Sequence, residues 1–277
     1  MFRTILTYTG WSLLAAMLGA YFFFAARLSN AGKENEVCSN ISVTLLDSVR
    51  NKFVTKSEVV NIIEDFTGST IGKRVNDINL ANIELLLDKR SAIKKSQVSI
   101  SRNGKMSINI TQRKPLLRIQ TENGGFYIDR SEFIFPLVSS FTSYVPIVSG
   151  NIPLVINAEH KGKAIDEGSE WIGKITEFGI YLEDNPFWNA MIEQIYVEKN
   201  GDIILSPKVG NFKIVFGDLN NIESKFNRLL AFYKNIAPNE GWNKYSVINL
   251  KYKGQIVCKI DKRYKAKQNN NKANNTL

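Results

Sequence analysis

Side chains suited to covalent or metal chemistry are scarce in this 277-residue chain. It has one histidine, His160, and two cysteines, Cys38 and Cys258. A zinc site takes three or four ligands, mostly histidine and cysteine, and these three residues are too few and too far apart for a His/Cys cluster. Two cysteines also exclude a disulfide-rich scaffold. The counts favour a binding or scaffolding protein over an enzyme.

The sequence around His160 and Asp129 supports this interpretation. His160 lies in a polar stretch, and the sequence has no nucleophile elbow, phosphate-binding loop or His-Glu-x-x-His motif. Asp129 follows a predicted strand, where turn capping is a commoner role than acid–base catalysis. We therefore predict no catalytic residue, no metal site, no cofactor and no small-molecule substrate. Cys38 and Cys258 are expected to be small buried side chains, with a disulfide between them as the alternative.

The positive charge is concentrated at the ends of the chain. Lys and Arg number 36 against 26 acidic residues, a formal charge of +10. Residues 1–27 contribute +2, residues 28–258 contribute +3 and residues 259–277 contribute +5. The central region has no basic stripe with interleaved aromatic residues, so nucleic-acid binding is not indicated. Residues 262–277 are predicted to be a disordered basic tail.

An uncharged segment near the N-terminus is long enough to cross a membrane. Residues 4–26 contain no charged side chain, and a helix of this length extends about 34 Å, against a hydrocarbon core of roughly 30 Å. We interpret residues 1–27 as a short cytoplasmic stub and a transmembrane helix, followed by a linker over 28–36. A cleaved signal peptide ending near residues 29–31 and a buried core helix are the alternatives. The charges on the two sides are nearly balanced, so they do not determine orientation.

Residues 37–114 show the pattern of a small α/β unit. A strand is expected over 41–46, and Thr55 and Glu58 form a capping box for a helix that ends at Gly68. A second helix begins near Asn79, and two strands flank Asn103-Gly104, a pair typical of a type I′ hairpin turn. The predicted order is strand, helix, helix, strand, strand. The first helix presents one apolar face, made of Val59, Ile62, Ile63 and Phe66.

Residues 115–261 are rich in short strands. Asn200-Gly201 and Lys253-Gly254 each separate two predicted strands. A helix over 219–236 is expected to be capped by Asp218, with Lys225 and Arg228 off its apolar stripe on a solvated face. The fold class is therefore α+β: an N-terminal transmembrane helix, a small βααββ domain, and a strand-rich β-domain with packed helices.

Several segments in this order resemble the FtsQ/DivIB family of bacterial cell-division proteins. They are the junction Gln112-Arg113-Lys114-Pro115, Phe126-Tyr127-Ile128-Asp129, Phe135-Pro136-Leu137, Val145-Pro146-Ile147-Val148-Ser149-Gly150 and Ile248-Asn249-Leu250-Lys251-Tyr252. The resemblance implies that the βααββ unit is a POTRA-type domain. It further implies a single-pass inner-membrane protein at the division septum, with most of the chain in the periplasm and no enzymatic activity. It also implies binding to FtsB/DivIC-like and FtsL-like coiled-coil proteins and other divisome membrane proteins, which links early and late division proteins and controls septal cell-wall synthesis.

The last hairpin is the candidate binding surface. Ile256, Cys258 and Ile260 should point to one face of the final strand, and an unpaired strand edge can recruit another chain. The resemblance implies that the terminal strands and the preceding helix carry the FtsB contact. By motif match the candidates are Lys251 and Tyr252, with Leu250 and Ile256 nearby. The helix surface at Lys225 and Arg228 is a second candidate, with a merely solvated face as its alternative. Tyr252 and Ile256 packing the sheet is the alternative.

Two other functions stay open at this point. One is a POTRA-bearing, membrane-anchored transport or secretion component, although neither a barrel nor several POTRA repeats is visible in the sequence. The other is a membrane-anchored hydrolase, which would need a catalytic cluster.

Overall fold

The computed structural model describes residues 11, 13–25, 36–47, 52–165 and 168–265. Residues 13–25 form an exposed helix, α1. No helix within the described ranges combines the length and the apolar character that a membrane crossing requires. The proposed span over 4–26 is therefore not confirmed, and residues 4–10, 12 and 26 of it lie outside the described residues. The same is true of residues 28–35 of the predicted linker and 266–277 of the predicted tail.

The chain folds into two compact units, Met1–Gln112 and Arg113–Leu277. The first unit has the predicted order of strand, helix, helix, strand and strand. Its strands form a sheet of order β1-β3-β2, with β1 parallel to β3 and β2 antiparallel to it. After α1, its elements are β1 (Asn40–Leu45), α2 (Lys56–Thr67), a 3₁₀ turn (Val75–Asp77), α3 (Leu80–Asp88), β2 (Ile93–Ile100) and β3 (Lys105–Gln112).

Side-chain caps fix the starts of α2 and α3. Thr55 accepts a hydrogen bond from the Glu58 amide at 3.2 Å, and Asn79 accepts one from the Asn82 amide at 3.0 Å. The Thr55 cap was predicted, and Asn79 was predicted only as the approximate start of its helix. The apolar face of α2 is buried as expected, except that Phe66 is 57% exposed. This residue lies in the last turn of the helix, which the core does not cover.

Both Asn-Gly hairpins have a longer loop than a type I′ turn. Gly104 and Gly201 have positive φ, whereas Asn103 and Asn200 do not. In each hairpin three residues are enclosed, and the glycine amide donates back to a carbonyl three residues earlier at 2.9 Å and 3.0 Å. This is a type I turn followed by a left-handed glycine. The prediction of hairpins is confirmed and the type I′ turn is wrong.

The second unit is a nine-stranded mixed sheet of order β12-β11-β10-β9-β8-β7-β4-β5-β6. Helices pack on one face of the sheet and bury a single large apolar cluster. The strands are β4 (Pro115–Thr121), β5 (Gly124–Asp129), β6 (Ile134–Pro136), β7 (Ile147–Gly150), β8 (Ile192–Val197), β9 (Ile203–Pro207), β10 (Lys213–Gly217), β11 (Tyr245–Asn249) and β12 (Val257–Ile260). The helices are α4 (Gly168–Asp184), α5 (Pro186–Met191), α6 (Ile222–Ala231), a π-helix (Phe232–Ile236) and α7 (Ala237–Glu240).

Helix α6 begins later than predicted. Asn221 precedes its first turn in the left-handed conformation, with φ of 54°, and gives no side-chain cap. Asp218 is therefore not the cap, and the helix does not run unbroken to Ile236 because a π-helical turn starts at Phe232. The Asp218 carboxylate bonds to Lys225 instead, which keeps the end of β10 close to α6.

Candidate protein-binding edge

Strand β12 is the last strand of the nine-stranded sheet. Among the described strands only β11 pairs with it, so one edge of Val257–Ile260 has no strand partner. The Asp261 amide donates to the Lys244 carbonyl at 2.9 Å, on the β11 side. Because successive residues of a strand point their amides to opposite sides, the Cys258 and Ile260 amides face the open side. An open edge of this kind can accept a strand from another chain.

The side chains of β12 alternate as the sequence predicts. Ile256 and Cys258 pack against the apolar core, whereas Val257 is 46% exposed and Lys259 is exposed. Burial raises the pKa of the Cys258 thiol, which keeps it protonated and poorly nucleophilic at neutral pH. Both cysteines are free thiols. One face of the strand thus stabilises the fold while its other face and its outer edge meet solvent.

Arg228 holds the connection between β11 and β12. Its guanidinium donates to the Leu250 carbonyl at 3.0 Å, to the Tyr252 carbonyl at 2.6 Å and to the Gln255 carbonyl. The residue is partly exposed, and its side chain turns towards the backbone of the connection. Charged donors make stronger hydrogen bonds than neutral ones. Arg228 therefore fixes the segment that leads into the open edge.

Lys225 lies inside the unit rather than on a solvated face. It is 5% exposed, and its Nζ donates to the Asp218 carbonyl at 2.7 Å and lies 4.9 Å from the centre of the Phe216 ring. Lys225 was expected on a solvated face because its position is off the apolar stripe of α6. Asp218, at the end of β10, supplies the oxygen atoms that allow the ammonium group to be buried. Burial tends to raise the pKa of Asp218, but hydrogen bonds from Lys225 and Asn220 outweigh it and lower the pKa.

The three neighbouring candidates in the Ile248–Tyr252 segment have different environments. Leu250 is fully buried and its amide donates to the Val215 carbonyl at 2.8 Å. Lys251 is exposed and pairs with Asp202 at 2.6 Å, and this hydrogen bond raises the pKa of the lysine. Tyr252 is 52% exposed. Lys251 and Tyr252 therefore reach the surface beside the edge, whereas Leu250 supports it from within the core.

Gly217 leaves room for the side chain of Lys251 at the end of β10. It has φ of 79°, and a Cβ atom at this position would lie 2.6 Å from the Lys251 Cγ atom. A larger residue would therefore be strained and would displace the lysine. No local pattern in the sequence indicates this contact or the Lys251–Asp202 pair, because both join residues far apart along the chain.

Unpaired positive charge surrounds the open edge. Lys253, Lys259 and Lys262 are exposed and make no ion pair among the residues that the structure describes. Lys251 and Arg263 are also close along the chain, but each has an aspartate partner. The surface thus favours a partner with acidic residues next to its binding strand.

The described residues contain no group of three or more His, Cys, Asp or Glu side chains that could hold a metal ion. His160 is partly buried, and its Nε2 has no hydrogen-bond partner in the described part of the chain. An apolar pocket of about 600 Å³ lies beside the π-helix and is lined by Phe187, Trp188, Tyr233 and Trp242. Burial raises the pKa of Tyr233, so its hydroxyl stays neutral.

Comparison with known families gives two matches that follow the two units. A family model described as FtsQ/DivIB, C-terminal related, matches residues 114–259. A second, described as a POTRA-like domain, matches residues 36–111. The first match covers just over half of the chain. No curated protein matches the sequence.

Proposed function

The chain belongs to the FtsQ/DivIB family, and on that premise we propose that it is a non-enzymatic scaffold that binds coiled-coil division proteins at its β12 edge. The family is a non-enzymatic family of cell-division scaffolds found at the division site. The POTRA-like match to the first unit agrees with this domain arrangement. The scaffold links early and late division proteins and thereby controls septal cell-wall synthesis.

The proposed location is the inner membrane at the septum. Residues 4–26 anchor the chain as a single span, and the two folded units lie in the periplasm. The support for the span is the run of 23 residues without a charge, which matches the thickness of a bilayer core.

The open edge of β12 is the observation that carries the binding proposal. A segment of an FtsB/DivIC-like protein adds to it as a further strand and bonds to the outward amides of Cys258 and Ile260. An FtsL-like protein joins the complex through its coiled coil with this partner. Main-chain hydrogen bonds supply affinity in such a pairing, and side chains on alternate positions supply specificity.

The residues selected from the sequence divide into two roles in this proposal. Lys251, Tyr252 and the exposed part of Ile256 contact the partner, and Val257 joins them because it is exposed on the strand itself. Leu250 and Lys225 support the edge from the interior because they are buried. Arg228 supports it by bonding to the backbone of the connection between β11 and β12. These three position the edge without touching the partner.

Binding measurements on the full chain in a non-ionic detergent test the proposal. Titration with the FtsB/DivIC-like protein should show weaker binding, by about tenfold or more, for Tyr252→Ala and for Ile256→Glu. Tyr196→Ala is the matched control, because Tyr196 is also a partly exposed tyrosine of this sheet, 42% exposed, on β8. Unchanged binding in both test variants would contradict the proposed edge.

A fluorescent fusion in dividing cells tests the cellular role separately. Signal at the septum and filamentous growth on depletion are expected. Uniform envelope signal with normal septation would contradict the division role, whatever the binding result.

A further inference from the structure

Arg118 occupies a position where the fold supplies no anionic partner. It lies on β4, level with Tyr127 of β5 and Ile147 of β7. Its neighbours Leu117 and Ile119 are fully buried in the core cluster. Because side chains alternate along a strand, Arg118 projects from the opposite face of the sheet.

The guanidinium of Arg118 has neither an ion pair nor a hydrogen bond among the described residues, and its Nε is buried without a partner. Burying a cationic donor without an acceptor is unfavourable, and native proteins usually pair such groups. Arg113, a buried arginine of the same unit, donates from its Nη1 to Asp129 at 2.8 Å, although its Nε is also without a partner. Arg118 is partly buried and differs in having no anionic partner within the described ranges, so its guanidinium is available to an anionic ligand.

The side chain borders a pocket of about 380 Å³ that contains further donors. Lys208 donates to the Tyr144 hydroxyl at 2.6 Å and makes no ion pair within the described ranges. Because the tyrosine oxygen accepts this bond, its own proton stays available to a ligand. Thr142 and Ser143, which each carry a hydroxyl, also line the pocket. Two cations and up to three hydroxyls thus surround one cavity.

The size and the remaining walls of the pocket define the ligand further. Its volume is within the range of small-molecule sites and far exceeds the space that a single oxyanion needs. Val145, Pro146 and Ile192 provide apolar walls. The one acidic residue of the lining, Glu193, is exposed and forms no ion pair with the cations that the structure describes. An anionic group on a short apolar stem fits these surroundings better than a bare inorganic anion.

We propose that this pocket binds a small organic carboxylate, such as the C-terminal carboxylate of a short peptide, through the Arg118 guanidinium. The planar guanidinium pairs with both carboxylate oxygens. Lys208 and Tyr144 bind the same group from the other side, and the aliphatic stem lies against Val145, Pro146 and Ile192. The pocket is separate from the β12 edge, so this inference does not depend on the partner proposed above.

Calorimetric titration of the full chain in a non-ionic detergent tests the inference. The probes are acetyl-Ala-Ala with a free carboxylate, its C-terminal amide, and inorganic phosphate. The acid should bind about tenfold or more tightly than either the amide or phosphate. Equal binding of acid and amide would overturn the carboxylate site, and tighter binding of phosphate would assign the pocket to a bare oxyanion instead. Both comparisons use the wild-type chain and do not depend on the folding of a variant.

Substitutions then locate the binding group. Arg118→Met should abolish binding of the acid, and Arg118→Lys should weaken it, because lysine keeps the charge but loses the planar pair of donors. Arg102→Met is the matched control, since Arg102 is exposed and lies in the first unit. Glu193→Gln should strengthen binding by removing a nearby negative charge. Undiminished binding to both Arg118 variants would overturn the inference.

Discussion

Strands β2 and β12 are both edge strands, but their outward amides differ in whether a side chain of the same unit accepts a hydrogen bond from them. In the first unit, the Val98 amide donates to the Glu84 carboxylate at 2.7 Å and the Ser96 amide donates to the Asp88 carboxylate at 2.8 Å. Both acceptors lie on α3. The helix therefore covers the β2 edge with side-chain oxygens, and a foreign strand would have to displace them.

The β12 edge has no comparable cover within the described residues. Its outward amides, those of Cys258 and Ile260, receive no side-chain acceptor there. Arg228 bonds to the connection before the strand and leaves the edge itself open. Folded proteins usually protect edges that would otherwise recruit other chains. The contrast leaves the β12 edge able to accept a strand in the proposed function, whereas the α3 carboxylates occupy the outward amides of β2.

The largest expected effect is that of Arg228→Met. Loss of the bonds to three carbonyls should free the connection between β11 and β12, lower its local opening free energy by about 2–3 kcal/mol, and weaken partner binding by about thirtyfold. Amide hydrogen exchange over residues 250–257 and the binding titration measure the two effects. Lys234→Met, at an exposed position on the π-helix, is the control. Wild-type exchange rates in Arg228→Met would show that this residue does not hold the edge.

Asp88→Ala should uncover the edge of β2. The Ser96 amide loses its acceptor and the Ser96 hydroxyl keeps only the Glu84 carbonyl, so the first unit should be destabilised by about 2 kcal/mol, while binding at β12 stays unchanged. Amide exchange in β2 and the binding titration test this pair of outcomes. Asp65→Ala, on the exposed side of α2, should change neither quantity. Weaker partner binding in Asp88→Ala would mean that the partner uses the covered edge.

Val257→Lys adds a charge to the open edge without disturbing the core. Since Val257 is 46% exposed, the stability should change by less than about 0.5 kcal/mol. Partner affinity should fall by about tenfold, because lysine on an edge strand discourages pairing. Val209→Lys, also 46% exposed and outside the strands, should leave affinity unchanged. Full affinity in Val257→Lys would place the contact elsewhere.

The smallest effect concerns pH. Hydrogen bonds from Lys225 lower the pKa of Asp218 in the folded state. Their contribution to stability is therefore present at neutral pH and is lost as the pH falls through the folded pKa of Asp218. The carboxylate is 64% exposed, so solvent screening keeps this contribution below about 1 kcal/mol. Chemical denaturation of Asp218→Asn and wild type should show a stability difference that shrinks with acidification, and a difference independent of pH would contradict this.

Local signals in the sequence were sufficient for much of the fold. Thr55 and Asn79 marked two helix starts because N-capping depends on residues three positions apart. Alternating apolar residues located β3 and β12, and the Asn-Gly pairs located two hairpins. The type I′ turn was wrong because loop length, which selects turn type, depends on where the strands stop pairing.

Contacts between distant segments could not be predicted in this way. The pattern of α6 separated Lys225 and Arg228 from the apolar stripe and gave both a solvated face. Their true positions depend on the Asp218 oxygens and on the carbonyls of residues 250–255, which only the folded sheet brings near the helix. An unpaired edge on the final predicted strand was expected from the sequence, and the sheet order places β12 at an edge among the described strands. The cover on β2 was not expected, because it depends on carboxylates of α3.

Amide hydrogen exchange of Cys258 and Ile260 in the full chain, with and without the FtsB/DivIC-like partner, tests the central proposal most directly. Strand addition predicts that these two outward amides become strongly protected on binding, while Ser96 and Val98 of β2 keep their exchange rates. Partner binding that leaves Cys258 and Ile260 exchanging as in the free chain would contradict strand addition at this edge.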